Sequence, residues 1–396
     1  MAVTALKVRG RARGWTSTDH HVREFLRAIQ RRGVAIEFVD AAPERAAILP
    51  DSRRDAWLDS LRRPVDTRVM LHFTTPDKAI LAPDMINVIY TVFEATRICP
   101  DWVDVCSEMD LVIVATESSR RAWIDSGVDE RLIRICPEGI DPYLFDGSAP
   151  PLPLRLDDGT PVSSFATRFL NVSAIVHRKN LGGLLRSWLR ATNPEDSAVL
   201  IWKLGPRGKP KRDYLAEVFG RAEAETGTTR AQAAPILVLN ATLADDDIPR
   251  LHASATHYIS MSHGEGWDHP MVEAAATGLQ LIAPNHSSFP AYLDSSCAVL
   301  LPSRQVPAAW PEDLTRPPSF PEDADWWDPD EDSAVAAIRA AIDGRDSGIA
   351  SPAERIRRDL SWDRAAERLL DLLDDLVKTR TFWRWYVPGK TPTIRA

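Results

Sequence analysis

The sequence predicts an α/β protein made of two Rossmann-like α/β/α domains, each a parallel sheet covered by helices. Short apolar runs alternate with amphipathic helical stretches from end to end, the pattern of parallel strands joined by crossover helices. A length of 396 residues suffices to bury two cores. The alternation breaks once, at Pro150-Pro151-Leu152-Pro153 and Asp157-Asp158-Gly159, a composition suited to an extended connection.

In the first half, strands are predicted near Leu6, at Ile36 to Val39, Arg68 to Phe73, Asn87 to Phe93, Leu111 to Ala115 and Leu132 to Cys136. A helix from His21 to Arg32 places Val22, Phe25, Leu26 and Ile29 on one stripe against Arg23, Arg27 and Arg31. The second series has strands at Arg168 to Val172, Ala198 to Trp202, Ile236 to Leu239, His257 to Ile259, Leu279 to Ala283 and Ala298 to Leu301. Helices at Leu181 to Ala191 and Asp246 to Ala253 lie among them, Pro311 to Asp330 reads as an irregular excursion, and one long helical region runs from Ala353 to Arg380. The domains are accordingly set at residues 1–150 and 165–380, with a linker at 151–164. The aromatic tail within 380–396 is expected to pack back on the first domain, since so many aromatic residues need a surface that buries them.

A net charge of −8 argues against an obligate nucleic-acid binder, so an anionic ligand must be held by a local basic site. The four cysteines lack zinc-ligand spacing and are too few for a disulfide framework; they read as buried thiols of a reducing, cytoplasmic compartment. No apolar run of membrane-spanning length and no export signal is found. The basic residues are mostly Arg, which fits a GC-rich bacterial genome.

The most informative window runs from Ser260 to Gly278. It follows a predicted strand and opens a predicted helix, with Pro270 suited to the first helical position and Gly278 to the stop. Free amides and the helix dipole there favour an anion such as a diphosphate. Gly264 and Gly266 bracket Glu265 and present it at the mouth of the loop, while Glu273 in the first helical turn is placed to accept hydrogen bonds from a diol. Without a ligand, Glu273 reads as a helix-terminus residue and Glu265 as a solvated loop position.

This window resembles the Glu-x7-Glu signature of the retaining GT-B glycosyltransferases of family 4. The resemblance implies that Glu273 holds the ribose of a donor nucleotide and that Glu265 contacts the donor sugar. It further implies that the amides from Gly266 through Trp267, Asp268 and His269 to Met271 cradle sugar and diphosphate. Trp267-Asp268-His269-Pro270 stands where the family usually has Phe-Gly-Leu-Pro, which leaves the sugar open. His177-Arg178-Lys179-Asn180 supplies cations before a helix, as a departing diphosphate requires. Lys179 aligns with the family's phosphate-binding lysine. The family's arginine usually comes earlier, where this chain has Ser173 and Ala174, so its role passes to Arg178. Weaker matches at Ala115 to Ser119, Pro137 to Phe145 and Ser361 to Ala366 extend the resemblance over most of residues 110 to 370.

In the first half, Gly14 is the expected close-approach point to a diphosphate, in a loop that is not Gly-x-Gly-x-x-Gly. His72 ends one predicted strand and Glu94 and Arg97 follow another, where α/β domains place ligand-contacting groups, and these three are the acceptor-side candidates. The activity implied is a metal-free hexosyl transfer, without a cofactor, from a UDP- or GDP-linked sugar to a hydroxyl of a glycan, a lipid-linked acceptor or a small molecule. A sugar phosphorylase, a non-catalytic sugar- or nucleotide-binding subunit, and weak peripheral membrane contact through the basic helix at His21 to Arg32 are the alternatives.

Overall fold

The computed structural model describes residues 2–47, 51–205, 212–310, 316–317, 320–346 and 348–385. The chain divides into two compact units: residues 1–93, 97–139 and 360–396 form one, and residues 94–96 and 140–359 the other.

In the first unit, β1 (Ala5–Gly10), β2 (Ala35–Asp40), β3 (Val69–Phe73), β4 (Ile86–Tyr90), β5 (Leu111–Val114) and β6 (Ile133–Ile135) form a sheet in the order β2-β1-β3-β4-β5-β6, parallel throughout. Helices α1 (Ser17–Arg31), α2 (Ser52–Ser60), α3 (Pro100–Ser107) and α4 (Glu117–Asp125) connect the strands. β3 and β5 are buried at every residue, as both faces of a covered sheet require. A capping box starts α1: Thr16 accepts from the Asp19 amide and Asp19 from the Thr16 amide. This puts the N-terminus of α1 four residues before the expected His21.

The second unit repeats the plan. Strands β7 (Thr167–Ala174), β8 (Ala198–Gly205), β9 (Ile236–Leu239), β10 (His257–Ile259), β11 (Gln280–Pro284) and β12 (Val299–Leu301) lie in the order β12-β11-β10-β7-β8-β9, again all parallel. Helices α5 (Leu181–Ala191), α6 (Arg212–Thr226), α7 (Asp247–Ala253), α8 (His269–Thr277), α9 (Glu331–Ile342) and α10 (Ala353–Asp359) accompany them. Part of the segment expected to be irregular is a regular strand, β14 (Asp325–Pro329), paired antiparallel with the preceding β13 (Ser303–Pro307). Trp326 on β14 is buried, so this Pro- and Asp-rich stretch is held by aromatic packing.

The long terminal helical region is two helices. α10 stops at Asp359, and α11 (Trp362–Trp385) begins after Ser361, whose carbonyl accepts from the Ala365 amide at 2.9 Å and whose hydroxyl accepts from the Arg364 amide. α11 belongs to the first unit, so the boundary expected at residue 380 moves back to residue 360. The cause is apolar burial: Leu369 and Leu373 are fully buried and Trp362 nearly so, in the core that holds Phe25 and Leu26 of α1. The other boundary falls after Gly139 rather than near residue 150. Docking of the aromatic tail lies outside the described residues.

The four cysteines are buried free thiols, and burial pushes Cys106 and Cys136 up to about 12. No helix among the described residues is long and apolar enough to cross a membrane.

Candidate functional site

Both sheets reverse their winding direction next to the first strand of the unit, between β1 and β3 in one and between β7 and β10 in the other. In open α/β sheets, the crevice outside the carboxyl ends of such a strand pair is where ligands bind. In the second unit this crevice gathers the residues that the sequence singled out.

β7 ends at Ala174, and a single 3-10 turn, His177–Lys179, carries Arg178 and Lys179. Asn180 follows in the left-handed region with φ of 48°, and its side chain caps α5 by accepting from the Gly183 amide at 3.0 Å. On the neighbouring strand β10, the chain continues through Ser262, His263 and Gly264 to Glu265. The two loops are stitched together: the His263 amide donates to the Arg178 carbonyl at 2.8 Å, and the Arg178 guanidinium donates to the Gly264 carbonyl.

The side chains then converge. Lys179 Nζ lies 2.5 Å from Glu265 Oε1, and Arg178 Nη1 lies 3.0 Å from Glu265 Oε2. Arg178 Nη2 reaches Glu94 Oε1 at 3.1 Å. Burial alone would raise the Glu265 pKa, but the Lys179 ammonium and the Arg178 guanidinium overcome it and hold the carboxyl down at about 2. Burial likewise disfavours charge on Arg178, yet Glu94 and Glu265 raise its pKa. The Glu265 amide donates to Ser287 Oγ at 3.2 Å, which anchors the loop to the segment that follows β11.

Asp268 behaves in the opposite way. It has φ of 67° at the N-cap of α8, makes no side-chain capping bond, and its Oδ1 is buried without a hydrogen-bond partner. Burial first, and the nearby Glu265 charge, push its carboxyl up to about 7 against the pull of Lys179 and Arg178. With Asp268 protonated, the two cations are matched by Glu94 and Glu265.

α8 ends as expected at Gly278, with φ of 95°, but begins at His269, so Pro270 is the second helical residue and Glu273 lies in the second turn rather than the first. Glu273 Oε2 meets His252 Nε2 at 3.1 Å. The Met271 and Val272 amides both donate to the Asp268 carbonyl at 3.2 Å, so the expected donor at Met271 is engaged within the helix and its side chain is buried. Gly266 and Trp267 are buried; the Trp267 carbonyl accepts from the Tyr292 hydroxyl at 3.1 Å. His269 is half-buried at the first helical position.

The remaining candidates separate. Glu94 belongs to the second unit and to the Arg178 cluster, whereas Arg97 lies in the first unit and donates to the Asp125 carbonyl at 2.8 Å. His72 is fully buried, its Nε2 3.4 Å from Asn87 Oδ1, and burial lowers its pKa; it is a packed side chain. At Gly14 an added Cβ would lie 2.5 Å from Asp19 Oδ2 and 2.4 Å from the Arg45 guanidinium. The close approach that requires glycine there is to this buried ion pair of the chain itself.

The sequence reading passed over an aromatic backing for the site. The ring of His263 stacks on Trp326 at 5.8 Å and that of His286 on Trp327 at 5.2 Å, while the Trp327 amide donates to the His263 carbonyl at 3.0 Å. Burial, and then the His263 charge, lower His286 to about 3, so it is a neutral packing group. The density of Trp between residues 310 and 327 was the available signal.

No protein-family model matches the sequence, and no curated relative does. Solved structures do. Anabaena HepE in complex with UDP-glucose superposes with a TM-score of 0.63 at 14% identity, over 94% of this chain and 99% of that one. The chain has the GT-B fold. Two further GT-B neighbours have TM-scores of 0.62. One is the sucrose-phosphate synthase of Thermosynechococcus elongatus, at 12% identity over 95% of this chain and 100% of that one. The other is an α,α-trehalose-phosphate synthase (UDP-forming) from Burkholderia xenovorans in complex with glucose-6-phosphate, at 13% identity over 94% and 99%. At these identities the likeness is one of fold, and what this GT-B protein does rests on its own site.

Proposed function

We propose that this chain is a glycosyltransferase that moves a hexose-type sugar from a nucleoside-diphosphate sugar to a hydroxyl acceptor, with retention of configuration and without a metal ion. The observation that carries the reading is the convergence of Arg178 and Lys179 on Glu265 at the crevice outside β7 and β10. A glycosyl donor breaks its anomeric C–O bond as the diphosphate leaves, and fixed cations stabilise that developing charge without reorganisation. Arg178 and Lys179 supply two such cations, a service for which other sites use a divalent ion.

In this reading Glu265 orients the pair and contacts the donor sugar, while Glu273, turned toward His252, takes the nucleotide's ribose. The acceptor hydroxyl attacks on the face the diphosphate leaves, and the departing phosphate takes its proton. No enzymatic nucleophile is needed, and the protein acts by position and charge. UDP in the HepE complex and in the UDP-forming neighbour's name supports a nucleotide sugar, UDP-linked in the first instance.

The test is a thermal-shift titration of the whole chain with UDP, GDP, ADP and dTDP and their sugar conjugates, with and without EDTA. At a ligand concentration about 100 times Kd, one-site binding adds about 2.7 kcal/mol to stability. A shift with one nucleotide that EDTA leaves intact supports the reading. No shift with any of them, or a shift abolished by EDTA, overturns it.

A further inference from the structure

The first unit has its own crevice at the corresponding place, outside the carboxyl ends of β1 and β3, where the sheet order reverses. A pocket of about 280 Å³ lies there, lined by Arg9 and Arg11 from the end of β1, Thr74 after β3, and Asp77, Lys78 and Ile80 from the turn that follows. This is just below the usual range for sites of drug-sized ligands, roughly 300–1,000 Å³, and suits a small group.

Its cations have no carboxylate partner among the described residues. Two other arginines of the same unit are engaged, Arg13 with Asp40 and Asp59 and Arg45 with Asp19. Arg9, Arg11 and Lys78 form no ion pair with any described carboxylate, and Arg9 Nε is buried with no hydrogen-bond partner. Burying a guanidinium N–H without an acceptor costs free energy unless a ligand supplies one. Against three cations the lining offers one carboxylate, Asp77, which leaves two positive charges in excess. A phosphate monoester carries about 1.5 to 2 negative charges near neutral pH and presents oxygens suited to arginine forks. A carboxylate carries one.

We infer that the pocket formed by Arg9, Arg11 and Lys78 binds the phosphoryl group of a small phosphorylated molecule, with Thr74 and exposed Ile80 left to meet the rest of it. Service of that molecule as the acceptor rests on the transfer proposed above; the binding itself does not.

The experiment is calorimetric titration of the intact chain with glucose 6-phosphate, inorganic phosphate, glucose and gluconate. The first two are expected to bind and compete with each other, and glucose to show no binding. The double variant Arg11→Gln, Lys78→Gln changes half-buried and exposed side chains only, and it is expected to lose at least tenfold in affinity for both phosphate probes with unchanged affinity for UDP. Affinity for glucose 6-phosphate within twofold of the parent in that variant, or gluconate binding as tightly as glucose 6-phosphate, overturns the inference. A chain that binds UDP but no phosphate probe overturns the pocket and leaves the transfer reading standing; phosphate binding without nucleotide binding does the reverse.

Discussion

Lys179 Nζ and Glu265 Oε1 are 2.5 Å apart although 86 residues separate them in the chain. The contact exists because β7 and β10 are neighbours in the sheet, so the loops that leave their carboxyl ends share one crevice.

Removing one partner of this buried pair isolates the other. Glu265→Ala leaves Lys179 without its carboxylate and Arg178 with Glu94 alone, and is expected to cost about 3–5 kcal/mol of stability. Saturating UDP should recover part of that loss, since the diphosphate offers the cations a new partner. A denaturation series with and without UDP checks this; a UDP-induced gain in the variant smaller than that of the parent chain refutes it.

Turnover and binding are expected to separate between the two glutamates. Glu265→Gln should depress kcat by at least about 100-fold, the loss typical of a lost electrostatic group at a reacting centre, with the affinity for free UDP changed little. Glu273→Ala should weaken UDP binding instead. Equal small effects from both variants, in steady-state kinetics and calorimetry, would remove the assigned roles.

Asp268 and Glu265 set opposite pH dependences. The Asp268 carboxyl sits at about 7 in the folded chain and near 3.9 when unfolded, so between these values the folded state binds the extra proton. Its contribution therefore falls as pH rises from about 4 to about 7 and is level above that. Glu265, held at about 2, contributes fully above its unfolded pKa of about 4.3, and that contribution is lost as pH falls toward 2. Asp268→Asn should thus be more stable than the parent at pH 8 but not at pH 4, by urea denaturation; parallel curves for the two proteins count against it.

Gly264→Ala tests how the loop is held. A Cβ there would lie 2.5 Å from the Glu94 carbonyl, so residues 94–96 must move. Those residues also bond to β14, the Thr96 amide donating to the Asp325 carbonyl at 3.1 Å. The expected cost is about 1–3 kcal/mol, together with loss of turnover as Glu94 leaves Arg178. A melting temperature and kcat equal to the parent's would show that the segment gives way freely.

Much of this is legible in the amino-acid sequence. α5 was delimited residue for residue, because an amphipathic run lies between Asn180 and Thr192, and most strands appeared as short apolar runs bounded by turn residues. Glu265 and Lys179 were each assigned to a donor site by motif resemblance, but their mutual contact and that of Arg178 with Glu94 went unseen, because no local periodicity reports partners 84 to 86 positions away. β14 escaped because Asp325-Trp326-Trp327-Asp328-Pro329 lacks strand alternation and its Asp-Pro reads as a turn. The break between α10 and α11 escaped because Leu360-Ser361 contains no Gly or Pro, and Ser361 starts the second helix through its own oxygens. At Asp268 the left-handed backbone was invisible, since the residue there is not glycine.

The return of α11 fixes an order of events during synthesis. Chains usually acquire domains as they leave the ribosome, N-terminal part first. Here the sheet of the first unit emerges early but lacks Trp362, Leu369 and Leu373, which belong to its core and are made only after the whole of the second unit. The second unit is whole by residue 359 and can close first. A nascent chain stalled just short of Trp362 therefore carries one finished body behind an unfinished one, with the apolar side of α1 still open to water.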